Sequence, residues 1–270
     1  MANIVGIIPA RMGSSRFPGK PMFPIAGVPM IGHCYFRSAQ SRRLNDLYVA
    51  TCDEEIAEYI ESVGGKAVMT SESHTRASDR TAEALGHIER QTGKRVDIVV
   101  MIQGDEPMLR PEMIDEAVLP MLGDPSVLVT NLMAPLKDAE EHDDINEVKV
   151  VVDRNNFALY FSREPIPSPR KGGPNATKLK QVCIIPFRRD FLMKFNALEP
   201  TPLEIAESVD MLRVLEHGYR VKMVPTRFDV YSVDTQEDRR FVESLLVKDD
   251  LLPKYRSRSL KRMIQTCGAD

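Results

Sequence analysis

Arg11, Arg16 and Lys20 fall within one short stretch, interleaved with Gly13, Ser14, Ser15 and Gly19. Small residues let backbone N–H groups approach anionic oxygens, and the three cations supply countercharge. That combination builds a polyphosphate pocket. Its spacing is neither G-x-x-x-x-G-K-[ST] nor G-x-G-x-x-G, so the chain uses neither the P-loop nor the dinucleotide fingerprint. Two acids extend the chemistry. Asp105 follows Val99-Val100-Met101-Ile102-Gln103-Gly104, and Asp234 follows Val230-Tyr231-Ser232-Val233. A lone acid after a strand ordinarily caps a helix or closes a turn, and Asp234 competes with Thr235 to cap a helix over 236–246. Opposite a phosphate cradle the pair has a second use. Mg²⁺ takes one or two protein carboxylates and fills its remaining positions with phosphate and water.

The elements that must carry these residues follow from the apolar pattern. Ile4-Val5-Gly6-Ile7-Ile8 predicts a buried strand that breaks at Pro9 into the basic loop. Further strands are expected at 46–51, 66–69 and 97–102, alternating with helices at 29–41, 53–63 and 78–92, the last capped by Ser78. Alternation of this kind, with continuous apolar strands, implies an α/β protein whose parallel sheet is covered on both faces. Ligands then bind beyond the carboxyl ends of the strands, where the 9–20 loop and Asp105 fall. The second half is less regular, with strands at 126–134, 147–153, 181–187 and 220–225 and helices at 111–121 and 203–217. The run from Pro165 to Pro174 predicts an irregular surface loop. Beyond Leu246 stand six Lys or Arg against three Asp. Residues 1–246 therefore read as the domain and 247–270 as a basic extension, either a terminal helix meeting a partner or a solvated end.

A chain of 270 residues, 43% hydrophobic and with a formal net charge of −3, buries a full core and offers no field for nucleic acid. Cys34, Cys52, Cys183 and Cys267 are scattered without a C-x-x-C, which argues against zinc and against a disulfide framework. His33, His74, His87, His142 and His217 show no metal spacing and are expected as solvated or core histidines. No basic leader precedes the first apolar run, and no stretch nears about 18 apolar residues. A cytoplasmic protein without membrane insertion is the expectation.

With these residues in view, the chain resembles the cytidylyltransferases that make CMP-sugar acids, and within them the 3-deoxy-manno-octulosonate (Kdo) cytidylyltransferase or CMP-Kdo synthetase family of bacterial lipopolysaccharide assembly. The likeness rests on P-A-R-x-x-S-x-R-x-P-G-K-P after the first strand, Q-G-D-E-P after a later one and V-D-T-x-E-D near the end. It continues through Gly27-Val28-Pro29-Met30-Ile31, Asn146-Glu147-Val148-Lys149-Val150-Val151, Ala158-Leu159-Tyr160-Phe161-Ser162-Arg163 and Pro202-Leu203-Glu204, covering roughly residues 3–246.

The resemblance implies a single α/β domain of the nucleotide-diphospho-sugar transferase type, with a Rossmann-like, mostly parallel sheet and a more irregular acceptor half through which such proteins pair as homodimers. It implies transfer of CMP from CTP to a sugar acid with release of pyrophosphate, Mg²⁺ being the cofactor and CTP the co-substrate. Ala10, Arg11 and Lys20 would meet the triphosphate, and Asp105 and Asp234 the metal. Ala77, Ser78 and Arg80, in the place of a G-T-[DE]-R segment, would read the cytosine, with Gln103 between nucleotide and acceptor. Lys149 and Asn146 are candidates for the acceptor cavity. Arg163 is a candidate clamp for the acceptor carboxylate or, equally, half of a surface ion pair.

The departures cluster on the acceptor side. Where the family carries H-L-G-x-Y-x-Y-R this chain has Gln181-Val182-Cys183-Ile184-Ile185-Pro186-Phe187-Arg188, so Gln181 and Ile185 replace a histidine and a tyrosine. The family's E-Q-L-R becomes Asp210-Met211-Leu212-Arg213, A-T-D becomes Ala50-Thr51-Cys52, and the glycine of S-G-T becomes Ala77. A site that loses hydrogen-bonding partners changes its discrimination by up to about 10⁴-fold. The acceptor is therefore Kdo, a Kdo-like acid, or another small acid such as a phosphonate. Two rival readings are a sugar-1-phosphate uridylyl- or guanylyltransferase and a non-catalytic nucleotide-binding relative.

Overall fold

In the computed structural model, which describes residues 2–13, 17–168, 177–257 and 259, the chain forms two compact units. The first comprises Met1–Asp115 and Val230–Asp270. Its apolar runs become β1 (Ile4–Ala10), the short pair β2 (Pro24–Ile25) and β3 (Val28–Pro29), β4 (Asp46–Thr51), β5 (Ala67–Met69) and β6 (Ile98–Ile102). Between them lie α1 (Met30–Ser38), α2 (Glu54–Ser62) and α3 (Ala77–Thr92), and α4 (Pro111–Gly123) begins here and ends in the second unit. Four strands run parallel in the order β6-β1-β4-β5. Because β1 and β6 are parallel neighbours, with Ile7 beside Met101, the loops after them leave the sheet at one edge.

Two local details differ from the sequence expectation. β1 continues through Pro9, which pairs with Ala50, and Ala10, which pairs with Thr51. The register with β6 ends at Ile7, so a residue without an N–H is tolerated there. Ser78 does not cap α3: Arg76 holds the cap position, and Ser78 is buried inside the first turn.

The second unit, Glu116–Asp229, carries β7 (Thr130–Pro135), β8 (Lys149–Val152), β9 (Ala158–Ser162), β10 (Leu179–Val182), β11 (Ile184–Arg188) and β12 (Lys222–Pro225). Its helices are α5 (Ala139–Asp143), α6 (Arg189–Ala197), α7 (Pro202–Glu207) and α8 (Asp210–Glu216). One mixed sheet runs β12-β7-β10-β8-β9, antiparallel except where β12 joins β7. The single helix expected at 203–217 is two, because Ser208 adopts a left-handed φ of 53° between them. Arg213 of α8 reaches back to Glu204 of α7, its guanidinium donating two buried hydrogen bonds, of 2.7 and 2.8 Å, to the carboxylate. The strand expected at 181–187 is likewise divided at Cys183. Most of the Pro-rich loop, from residue 169 to 174, lies outside the described residues; Pro165 to Ser168 belong to no helix or strand. No helix among the described residues is long and apolar enough to cross a membrane.

The chain re-enters the first unit with α9 (Gln236–Leu246), and residues 251–255 beyond it pack on α1. Leu251, Leu252 and Tyr255 join Ala26, Val28 and Phe36 in one apolar cluster, and Tyr255 stacks on Phe36. Beneath it His33 is fully buried. Its Nε2 lies 2.8 Å from the Ile25 carbonyl and its Nδ1 2.8 Å from the Tyr255 hydroxyl. Ile25 can only accept, so the neutral ring donates from Nε2 and accepts at Nδ1. Burial, with the nearby Arg37 charge adding to it, pushes this imidazole down to about 4, against the opposing backbone bond to Ile25.

A base depressed in the folded state gives stability that is complete above its unfolded value of 6.5 and is lost as pH falls toward 4. Acidification across that window should therefore remove on the order of 3 kcal/mol from this contact. Thermal melts from pH 7 to 4.5 check it: the melting temperature should fall, and His33→Gln should flatten part of the slope.

Candidate active site

The basic loop is built by backbone restraint before it is charged. The Met12 N–H donates to the Asp53 carboxylate at 2.8 Å, and the Gly19 N–H to the Met12 carbonyl at 3.1 Å. Gly19 has a φ of +73°, open to a residue without Cβ, and turns the chain into a 3₁₀ turn that begins at Lys20. Phe17 anchors the loop in an apolar cluster with Ile25, Met30, Val233, Val242 and Leu246. Ser14, Ser15 and Arg16 lie outside the described residues.

Asp105 follows the end of β6, and Asp234 arrives from the far end of the chain. Val233 is buried in the Phe17 cluster, and its N–H donates to the Asp105 carbonyl at 3.0 Å. This bond sets the two acids side by side. Thr235 takes the capping role for α9: its hydroxyl accepts from Asp238 N–H, and the Asp238 carboxylate accepts from the N–H groups of Asp234 and Thr235. The Asp234 carboxylate instead meets Lys20. The ammonium stands 3.0 Å from Asp105 Oδ2 and 2.8 Å from Asp234 Oδ1. Burial disfavours that charge, but the two carboxylates outweigh it and raise the Lys20 pKa above its ordinary value. Asp105 Oδ1 is buried without a hydrogen-bond partner among the described residues.

Beside this triad opens a cavity of about 320 Å³. Ala10, Arg11, Gly13 and Lys20 line it from the first loop, and Gln103, Gly104 and Asp105 from the end of β6. His74, Thr75, Arg76, Ala77 and Arg80 close it from the start of α3. Arg80 is almost wholly buried and bonds Thr70 Oγ1 at 2.5 Å and the His74 carbonyl at 3.4 Å, the same carbonyl that Arg11 reaches. His74 Nε2 pairs with Glu83, whose carboxylate also accepts from the Ser71 N–H. Sequence reasoning placed Arg76 in the segment 76–80 expected to read the base, grouped His74 with the ordinary histidines, and missed Thr75 and Met30 as lining. For Thr75 the position just before a helix start was the available signal.

The expected acceptor residues of the second unit do not form one cluster. Lys180 pairs with Lys149 across β10 and β8, so these two share a sheet face, while Gln181 points to the other. Lys149 is buried, its ammonium donating to the carbonyls of Asp144 (2.8 Å) and Arg163. Burial holds its pKa below the ordinary lysine value. Lys180, missed from sequence, is buried between Glu141 and Glu147. Arg163 directs its guanidinium at backbone carbonyls, of Glu207 (2.6 Å), Ile145 (2.9 Å) and Ser208 (3.3 Å). Gln181 donates its amide to Asn131 Oδ1 at 2.6 Å, Ile185 is buried, and Asp210 lies half-buried in the first turn of α8. Asn146 Nδ2 turns to Asp144.

Residues 5–223 match the family model described as Cytidylyltransferase. Similar curated proteins include a 3-deoxy-manno-octulosonate cytidylyltransferase of Geobacter metallireducens, 42% identical over 246 residues that cover 87% of this chain and 94% of that protein. Another, of Geotalea uraniireducens, is 42% identical over 256 residues, 91% of this chain and all of that protein. Among solved structures, CMP:2-keto-3-deoxy-manno-octonic acid synthetase complexed with CTP matches with a TM-score of 0.83 and 37% identity, covering 92% of this chain and 99% of that one. Sequence and fold agree: the chain belongs to the cytidylyltransferase family, on its 3-deoxy-manno-octulosonate branch.

Proposed function

We propose that the protein transfers CMP from CTP to Kdo or a Kdo-like sugar acid, releasing pyrophosphate, with Mg²⁺ as cofactor. The observation that carries this reading is Lys20 bridging Asp105 and Asp234 at the rim of the cavity shared by Arg11, Ala77 and Gln103. It is supported by relatives named 3-deoxy-manno-octulosonate cytidylyltransferase and by a neighbouring structure complexed with CTP. Cytoplasmic work, where CTP is available, and a role in lipopolysaccharide assembly belong to the same reading. So does a homodimer, for which exposed Ile145, Leu159 and Ile205 on the second unit offer apolar surface.

The acids fit a divalent ion. Among the described residues no group of three or more His, Cys, Asp or Glu could hold a metal. Two carboxylates suffice for Mg²⁺ when nucleotide oxygens complete its shell. The orphaned Asp105 Oδ1 and the ammonium already standing between the carboxylates both mark a place made for a cation. Asp105 and Asp234 would hold it, and when bound it supplies charge neutralisation at the reacting phosphate. The chain's own part is alignment and electrostatics. An acceptor oxygen attacks the α-phosphorus of CTP, the bond to the bridging oxygen of the β-phosphate breaks, and the acceptor's proton passes to solvent. Lys20 and Arg11 offset charge growing on the departing pyrophosphate. Ala77, with buried Ser78 and Arg80 behind it, forms the wall against which the base would sit.

A second reading, in which the acceptor is another small acid such as a phosphonate, is favoured by the Gln181–Asn131 bond and by the buried, apolar Ile185. These stand where the family places a histidine and a tyrosine. An inactive relative is disfavoured by retention of the lysine and both acids.

Asp105→Ala and Asp234→Ala should each abolish pyrophosphate release while circular dichroism shows an intact fold; turnover surviving the double substitution would refute the metal assignment. Lys20→Ala should weaken CTP binding by about tenfold or more, read by calorimetric titration; an unchanged titration would remove its phosphate role. Pyrophosphate release with CTP across Kdo, other sugar acids and phosphonates decides the acceptor. Ordinary turnover of Kdo alone would end the second reading.

A further inference from the structure

The segment after Leu246 has no part in the reading above, yet it reaches the Asp105 loop through one buried arginine. Arg37, on α1, is fully buried. Its Nη1 donates to the carbonyls of Leu109 (3.2 Å) and Met108 (3.4 Å), in the stretch that connects Asp105 to α4. Its other nitrogens belong to the C-terminal segment: Nη2 pairs with the Asp249 carboxylate, and Nε donates to the Tyr255 hydroxyl at 3.2 Å. Arg110, in the same stretch, bonds Asp250 at 2.6 Å and lies 3.7 Å from Asp249. Two arginines thus hold the Asp105 loop, and both answer to one pair of tail acids.

We propose that residues 247–257 form a strap that sets the position of Asp105, with Arg37 and Asp249 as positioning residues for the metal pair. The inference rests on the reading that Asp105 and Asp234 hold the cation. The physical reason is that a buried guanidinium keeps its geometry only while its charge is matched. With Asp249 in place, Arg37 has a fixed plane and its remaining donors fall on two loop carbonyls. Without that carboxylate the guanidinium relaxes toward other partners and releases them. Displacements of about 1 Å at a reacting centre cost on the order of a hundredfold in rate. The strap also governs the second acid, because α9 starts beside Asp234 and leads directly into the segment carrying Asp249. One continuous stretch therefore holds both carboxylates in register.

Mn²⁺ binding to the full chain in the presence of CTP, followed by electron paramagnetic resonance, tests this apart from turnover. Asp249→Asn should raise the Mn²⁺ dissociation constant by about tenfold or more, leave CTP affinity in metal-free buffer unchanged, and lower kcat in parallel. Tyr255→Phe should shift Mn²⁺ affinity the same way by a smaller factor, and Asp249→Glu should restore it. A lowered melting temperature with unchanged Mn²⁺ affinity in Asp249→Asn would overturn the strap and leave only a stabilising contact. Should that variant fail to fold, unchanged affinity in Tyr255→Phe overturns it equally. An Asp105→Asn protein that binds Mn²⁺ as tightly as the unsubstituted chain would instead overturn the metal reading, and the strap's purpose with it.

Discussion

Two carboxylates held side by side repel one another and lose their hydration, so a protein that needs them together must supply a cation. Here the cation is Lys20, within 3.0 Å of both Asp105 and Asp234. Each partner comes from a different element: a 3₁₀ turn, the end of a central strand and the approach to α9. The restraints around them make sense only as a means of meeting. Gly19 turns the chain where a side chain would strain it, Val233 bonds the Asp105 carbonyl, and Thr235 relieves Asp234 of capping duty.

The first unit was legible because its signals are local. Largely apolar runs at 46–51 and 97–102 are buried in a parallel sheet and correspond to β4 and β6. Helical spacing at 53–63 corresponds to α2. Both candidate acids could be found because each ends an apolar run. The second unit was harder for physical reasons. Its sheet is mainly antiparallel and its strands are short, so periodicity has few residues in which to show. β9 escaped notice for that reason, and the break at Ser208 depends on a left-handed residue that is not glycine. Lys149 and Gln181 looked like neighbours in function, yet β-register puts them on opposite faces. Only pairing partners, not spacing, reveal that.

Polar burial was least visible of all. Arg37 and Asp249 are separated by 212 positions, and each alone looks like an ordinary surface charge. The tail's net positive charge pointed toward solvent or a partner. Asp249 and the apolar Leu251, Leu252 and Tyr255 hold the described part against α1. Arg80 is similar: a cation at a cavity wall whose bonds go to Thr70 and the His74 carbonyl, so that it shapes the wall as well as facing the space.

The order of the chain adds one more consequence. Every described residue that lines the cavity lies before position 106, whereas Asp234 follows the whole of the second unit. During synthesis a nascent polypeptide emerges with its candidate nucleotide pocket encoded early and half of its carboxylate pair still untranslated. On the reading proposed above, chemistry is thereby withheld from unfinished chains, and a message truncated within the second unit yields a protein equipped for the pocket and lacking the acid that completes the pair.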